Sequence, residues 1–271
     1  MGKGARRKRT LLDQLRAEQP YCIYCGGRTL GDTVDHMPPR TVFDLRYRPK
    51  GLEFLACTAC NASGKKAEQI AGFLSRLLYT SRRTREVDQE LRKIFKEMIN
   101  NHRDVLLEMF PTGEQLANFN RLHPTLQQFK PLSVKGPLIN AAMRAFAAKM
   151  GLALHYRENR RVVPSTGAVI VRWFSNVQAF TNRIPPEILQ MVGSPDTLRQ
   201  GKFEVGDQFM YASQNLPGGD VSAHYATFRL SFAINAFVVE DTATIEGYTR
   251  GPNVLYPGFL KGDATSPNAT Q

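Results

Sequence analysis

Cysteine and tryptophan are scarce in this chain: four of the first and one of the second among 271 residues. Four cysteines are too few to staple a chain of this length by disulfides, and a chain this long can bury a core without staples. Long apolar runs are missing as well. No stretch approaches the roughly 18 uninterrupted apolar residues of a membrane span. The basic start, Met1 to Arg9, has no hydrophobic segment behind it, so no secretory signal is expected, and Arg6 stands where a myristoylation signal carries Ser or Thr. No internal repeat is present. Cytoplasmic residence, with no membrane partner, is the expectation.

Acidic residues are also few, 24 against 36 Lys and Arg, which leaves a net charge of +12. The excess is uneven. Residues 1–66 hold 13 Lys and Arg against 6 Asp and Glu, so more than half of it lies in the first quarter of the chain. A basic surface of this kind suits a polyanion, since each neutralised phosphate releases counterions, and DNA is the expected partner. For Arg6–Arg9 alone a solubilising tail is an equally good account.

The four cysteines fall into two matching pairs within the same basic quarter. Cys22-Ile23-Tyr24-Cys25 and Cys57-Thr58-Ala59-Cys60 bracket Asp35-His36, and Asn61 follows directly. Two Cys-x-x-Cys knuckles can present four thiolates to one tetrahedral zinc ion, a closed site with a structural role. A thioredoxin-like redox pair is disfavoured, because that motif occurs once and opens a helix after a strand. The gap between the pairs leaves room for a hairpin carrying Val34-Asp35-His36.

A hard cation such as magnesium or manganese wants oxygen ligands, and Asp35 and the carboxamide of Asn61 can supply them. Neighbouring strand side chains point to opposite faces, so His36 is free to take a proton from water beside a scissile phosphate. Lys65, a turn beyond Asn61, and Arg40 are candidate phosphate contacts. Lys66 reads as a solvated helix face. His102, His123, His155 and His224 have no spacing that suggests a metal site, and Trp173 reads as buried.

The order Cys-x-x-Cys, Val34-Asp35-His36-Met37-Pro38-Pro39-Arg40, then Ala56-Cys57-Thr58-Ala59-Cys60-Asn61-Ala62-Ser63-Gly64-Lys65 resembles the four-cysteine branch of the HNH endonucleases. The resemblance covers about residues 20–66. It implies a treble-clef-like ββα-metal module, zinc on the four cysteines, Mg2+ or Mn2+ on Asp35 and Asn61, His36 as general base, and hydrolysis of DNA phosphodiesters. The middle Asn that many members carry before the second knuckle is absent from Gly51-Leu52-Glu53-Phe54-Leu55. The rival reading is a non-catalytic zinc module binding nucleic acid or protein, in which His36 only hydrogen-bonds the backbone.

Around that module the pattern predicts an α+β chain. Residues 1–19 form a basic arm with a short helix over Thr10–Gln19, stopped by Pro20; residues 20–80 form the HNH module, with a strand at Leu52–Ala56 and a helix from Asn61 to Leu78. Residues 81–131 are helical, with a stripe at Val87, Leu91, Ile94 and Met98 and further turns at 113–123. Residues 132–256 make an α+β domain with a mainly antiparallel sheet: a linker to Pro137, a helix from Leu138 to Met150 closed by Gly151, then strands at 168–174, 209–211, 225–232 and 236–239, with a turn at 215–219. Residues 257–271 read as a disordered tail.

Overall fold

The computed structural model describes residues 3–77, 84–127, 131–176, 178, 186, 190, 195–200, 203–245 and 251–262. Helix α1 (Lys3–Glu18) ends before Pro20 as expected but begins well ahead of Thr10. Strands β1 (Thr33–His36) and β2 (Glu53–Ala56) pair antiparallel, with Asp35 opposite Phe54 and His36 opposite Glu53. The helix expected from Asn61 is two helices, α2 (Thr58–Ser63) and α3 (Lys65–Ser75), divided at Gly64. The first of them starts ahead of Asn61 because Cys57, extended at the N-cap, accepts the Cys60 N–H on its sulfur. Leu78 lies outside the described residues.

The next layer is helical: α4 (Arg85–Asn101), α5 (Arg103–Met109) and α6 (Gly113–Leu122). Thr84 caps α4, a Thr112–Gln115 capping box starts α6, and the predicted stripe of α4 buries Val87, Ile94 and Met98. Arg76, fully buried after α3, pairs with Asp44 and Glu90, while Arg229 reaches the same Asp44 at 2.8 Å. This ion cluster ties the long β1–β2 loop to α4 and to the sheet.

Helix α7 (Pro137–Asn159) runs two further turns past Gly151, the residue expected to close it. Gly151 serves packing instead. A Cβ there would come within 2.6 Å of the Ala236 Cβ and 3.3 Å of Val169 Cγ1, so its absence lets the helix press onto the main sheet. The strands of that sheet are β3 (Ala168–Ser175), β4 (Asp196–Thr197), β7 (Met210–Asn215), β8 (Val221–Phe228), β9 (Phe232–Val239) and β10 (Val254–Leu255); β5 (Arg199–Gln200) and β6 (Phe203–Glu204) form a separate pair. The order across the sheet is β10-β3-β9-β8-β7-β4, with antiparallel neighbours.

The strand predicted over 225–232 crosses a hairpin: β8 stops at Phe228, the chain turns through Arg229 at φ 53°, and β9 starts at Phe232. Apolar residues on both sides of the turn hid it. The turn at 216–219 is where it was expected, with positive φ at both glycines. Trp173 is half-buried, and its indole N–H donates to Asn140 Oδ1 at 2.9 Å.

The fold is thus α+β, with one apolar core running unbroken from the cysteine knuckles through Phe146 to Ile234. The first residues of the expected tail are ordered. Gly258 donates to the Tyr24 carbonyl at 2.8 Å and Lys261 to Thr29 at 3.1 Å, so residues 257–262 lie on the first knuckle; 263–271 fall outside the described residues. Among the described residues no helix is long and apolar enough to cross a membrane.

Candidate metal centre

Each knuckle is shaped by its own backbone. Gly26 and Gly27 turn the chain at φ +71° and +70°, and Cys22 N–H donates to Thr29 O at 2.8 Å, closing the first loop. Tyr24 N–H points at Cys22 Sγ (3.4 Å) and Cys60 N–H at Cys57 Sγ (3.5 Å). The hairpin and α2 bring the pairs together: all four sulfurs lie within 4.8 Å of one another and all four cysteines are buried. They are free thiols, not disulfides. Four soft donors at this spacing can hold one metal ion, and the set suits zinc. Crowding disturbs their acidity: hydrogen bonding to Cys25 helps push Cys22 up to about 12, while the bond to Cys22 drives Cys25 far down. The Lys261 ammonium stands beside the cluster. Burial acts to lower its pKa, and the Cys25, Cys57 and Cys60 thiolates outweigh burial and lift it.

Asp35, expected to hold a catalytic cation, is 3% exposed and already held. Its Oδ2 accepts from Tyr24 Oη at 2.6 Å and meets Lys149 Nζ at 2.9 Å. Lys149, 1% exposed, also pairs with Glu68 and lies 5.0 Å from the centre of the Tyr24 ring. Burial alone would lower the pKa of this ammonium; the Asp35 and Glu68 carboxylates outweigh it and hold it above the ordinary value. Tyr24, driven well upward by burial and by Asp35, stays a protonated donor. Lys149 was not foreseen from the sequence. The available signal was a single charge inside Ala147-Ala148-Lys149-Met150-Gly151-Leu152-Ala153, which demands either solvent or a partner.

His36 lies half-buried on the other face of β1. Arg48 Nη2 donates to its Nδ1 at 3.1 Å, and because guanidinium has no acceptor, the neutral ring carries its proton on Nε2. Arg48 is held by the Leu52 carbonyl at 3.0 Å and by Glu53. Glu53 faces His36 across the hairpin, so residues 51–55 reach the imidazole through Arg48. Burial, then the charges of Arg48 and Arg40, lower the His36 pKa to about 4, and it is neutral at pH 7.

Asn61 donates from Nδ2 to Thr33 Oγ1 at 3.0 Å. Thr33 and Asp35 are two apart on β1 and share a face, so Asn61 is on the Asp35 side of the hairpin, away from His36. Arg40 and Lys65 are exposed near the hairpin, and Lys66 makes a surface pair with Asp104 at 3.4 Å.

A second polar cluster went unseen in the sequence. Ser222 Oγ bridges His155 Nδ1 (2.7 Å) and His224 Nε2 (2.8 Å), and Ser213 contacts His224 Nδ1 (2.8 Å). His155 and His224 are sealed between α7 and the sheet, where burial first, then nearby positive charge, lowers His155 to about 4 and His224 to about 3. Enclosure makes this a structural network. His102, also buried, bonds Gln69 at 2.6 Å, and His123 is exposed. No protein-family model, curated protein or solved structure matches the chain.

Proposed function

We propose that this protein is a zinc-stabilised HNH-type endonuclease acting on DNA phosphodiesters. The observation that supports it most is the antiparallel hairpin leading directly into a helix, clamped by four clustered cysteines, with Asp35 and His36 on opposite faces of one strand. Zinc fills the sulfur cluster and fixes the ends of the hairpin against α2. The basic first quarter of the chain receives the DNA, with Arg40 and Lys65 as phosphate contacts. His36 is the base. At neutral pH its ring is uncharged, and its Nδ1 becomes a proton acceptor when the Arg48 guanidinium exchanges the imidazole for an incoming phosphate.

The resemblance also implies Mg2+ or Mn2+ on Asp35 and Asn61. As folded, the donor set does not fit that ion, because the Asp35 carboxylate is already shared by the Lys149 ammonium and the Tyr24 hydroxyl. The same contacts favour a second reading, a non-catalytic zinc module that binds nucleic acid or protein. The two part on one experiment. Purified protein is incubated with supercoiled plasmid, with and without Mg2+ or Mn2+, beside His36→Ala. Nicking that disappears in the variant, while zinc content and folding stay unchanged, supports the nuclease. Intact plasmid under every condition, with DNA binding retained, favours the binding module.

A further inference from the structure

Helix geometry aims Lys149 at the cysteine-clamped module. Gly151 faces the sheet, and a residue two positions earlier is rotated by about 200° and faces away from it. The ammonium enters a place prepared for it. A Cβ on Gly64 would lie 2.8 Å from Lys149 Nζ and 3.0 Å from Glu68 Oε1, so the α2–α3 junction lies directly against the ion pair. Around the ammonium stand the carboxylates of Asp35 and Glu68, with the Tyr24 hydroxyl on Asp35 and the Tyr24 ring nearby. Hard oxygen donors around a buried positive charge are what a divalent cation also requires.

We propose that Lys149 is the resident cation of the Asp35 pocket, standing where a divalent ion would sit, so that the folded chain admits such an ion only when the ammonium is withdrawn. The inference deepens the nuclease reading and rests on it for the meaning of the pocket as a cation seat. An ammonium and a divalent ion cannot share two carboxylates without strong repulsion at this depth. Helix α7, pinned to the sheet through Gly151, therefore acts as a latch from one part of the chain on the site of another.

The test compares Mn2+ binding by the zinc-loaded full chain, by Lys149→Met, and by Lys149→Met combined with Asp35→Asn. Free Mn2+ is followed by electron paramagnetic resonance, and melting is recorded with and without the ion. Lys149→Met should gain one site binding at least about tenfold more tightly than wild type, because a repelling charge has gone. Mn2+ should raise its melting midpoint toward that of wild type, and Asp35→Asn should abolish both effects. If Lys149→Met folds only with Mn2+ present, the proposal is supported. Should it not fold at all, Lys149→Gln, which removes the charge but keeps a polar end toward Asp35, must show the gained site. Wild type binding Mn2+ at Asp35 as tightly as the variants, or no gain in either variant, overturns it. The nuclease reading fails separately: Mn2+ uptake without any DNA nicking would leave the latch standing and remove the enzyme.

Discussion

Two polar clusters beside the same hairpin are built in opposite ways. The sulfur cluster gathers four thiols that disturb each other's acidity, with the Lys261 ammonium beside them. The Asp35 pocket gathers two carboxylates and brings its own cation from a helix residue 81 positions beyond Glu68, within 2.9 Å of Asp35. One offers four sulfurs to an ion from outside; the other pairs its carboxylates with a cation of the chain itself. The difference teaches that a ligand-like pattern in sequence does not settle what fills the site, since a lysine far along the chain can satisfy the same oxygens.

Stripping the metal breaks the comparison most strongly. Structural zinc contributes on the order of 10 kcal/mol in small modules, and here the knuckles belong to the continuous core. Purified protein should carry one zinc per chain by colorimetric release. A strong chelator, or Cys60→Ser, should lower the melting midpoint more than any exposed substitution. The Asp35 pocket should answer to neither treatment directly, because no ion has to leave it. Unchanged melting after complete metal removal would mean that the sulfurs pack as ordinary buried thiols.

The buried histidines supply a third arrangement: uncharged rings in a hydroxyl network, with Glu240 Oε1 3.4 Å from His155 Nε2. His155 has a folded pKa of about 4 against the ordinary 6.5, and His224 lies lower still. As pH falls below 6.5, the unfolded chain takes up protons that the folded chain refuses. Stability is therefore present near neutrality and drains away down to about pH 4, by about 3 kcal/mol for His155 alone. Urea unfolding at several pH values should give a slope between about pH 6.5 and 4.5 that His155→Gln reduces by about one proton. Acid also loosens thiolate–metal bonds, but that loss is common to both proteins and cancels in the difference. Identical slopes would show that the His155–Ser222–His224 network is not what acid attacks.

Legibility followed the range of the interaction. The cysteine spacing, the hairpin between the pairs and the Val87–Met98 stripe are local patterns, and they lie where local rules put them. What escaped was set by distant partners. Gly151 reads as a helix stop until Ala236 is found against it. Arg48 carries no local signal, and Glu53 and His36 close around it only in the fold. Lys149 reads as a stray charge on an Ala-rich helix, and only the tertiary fold delivers it to Asp35. The β8–β9 turn escaped for a simpler reason: Phe228 and Phe232 flank it, and no Gly, Pro or Asn falls between them to mark a turn.

Lys65 and Lys149 carry the contrast down to a single residue type. Lys65 is exposed on the first turn of α3, one residue past the junction that lies against the Lys149 ammonium. The buried lysine is committed to carboxylates and has no charge to offer DNA. The exposed one has its full charge available, and losing it empties no cavity and strands no partner. Lys65→Ala should therefore leave melting unchanged. If the basic module lies against DNA, the variant should bind duplex more weakly by a similar factor for every sequence, with the dependence of log affinity on log salt reduced by about one counterion. Fluorescence anisotropy on a labelled duplex over a salt series measures that slope. An unaltered slope would move the DNA path off α3 and leave the loop around Arg40 as the face to test next.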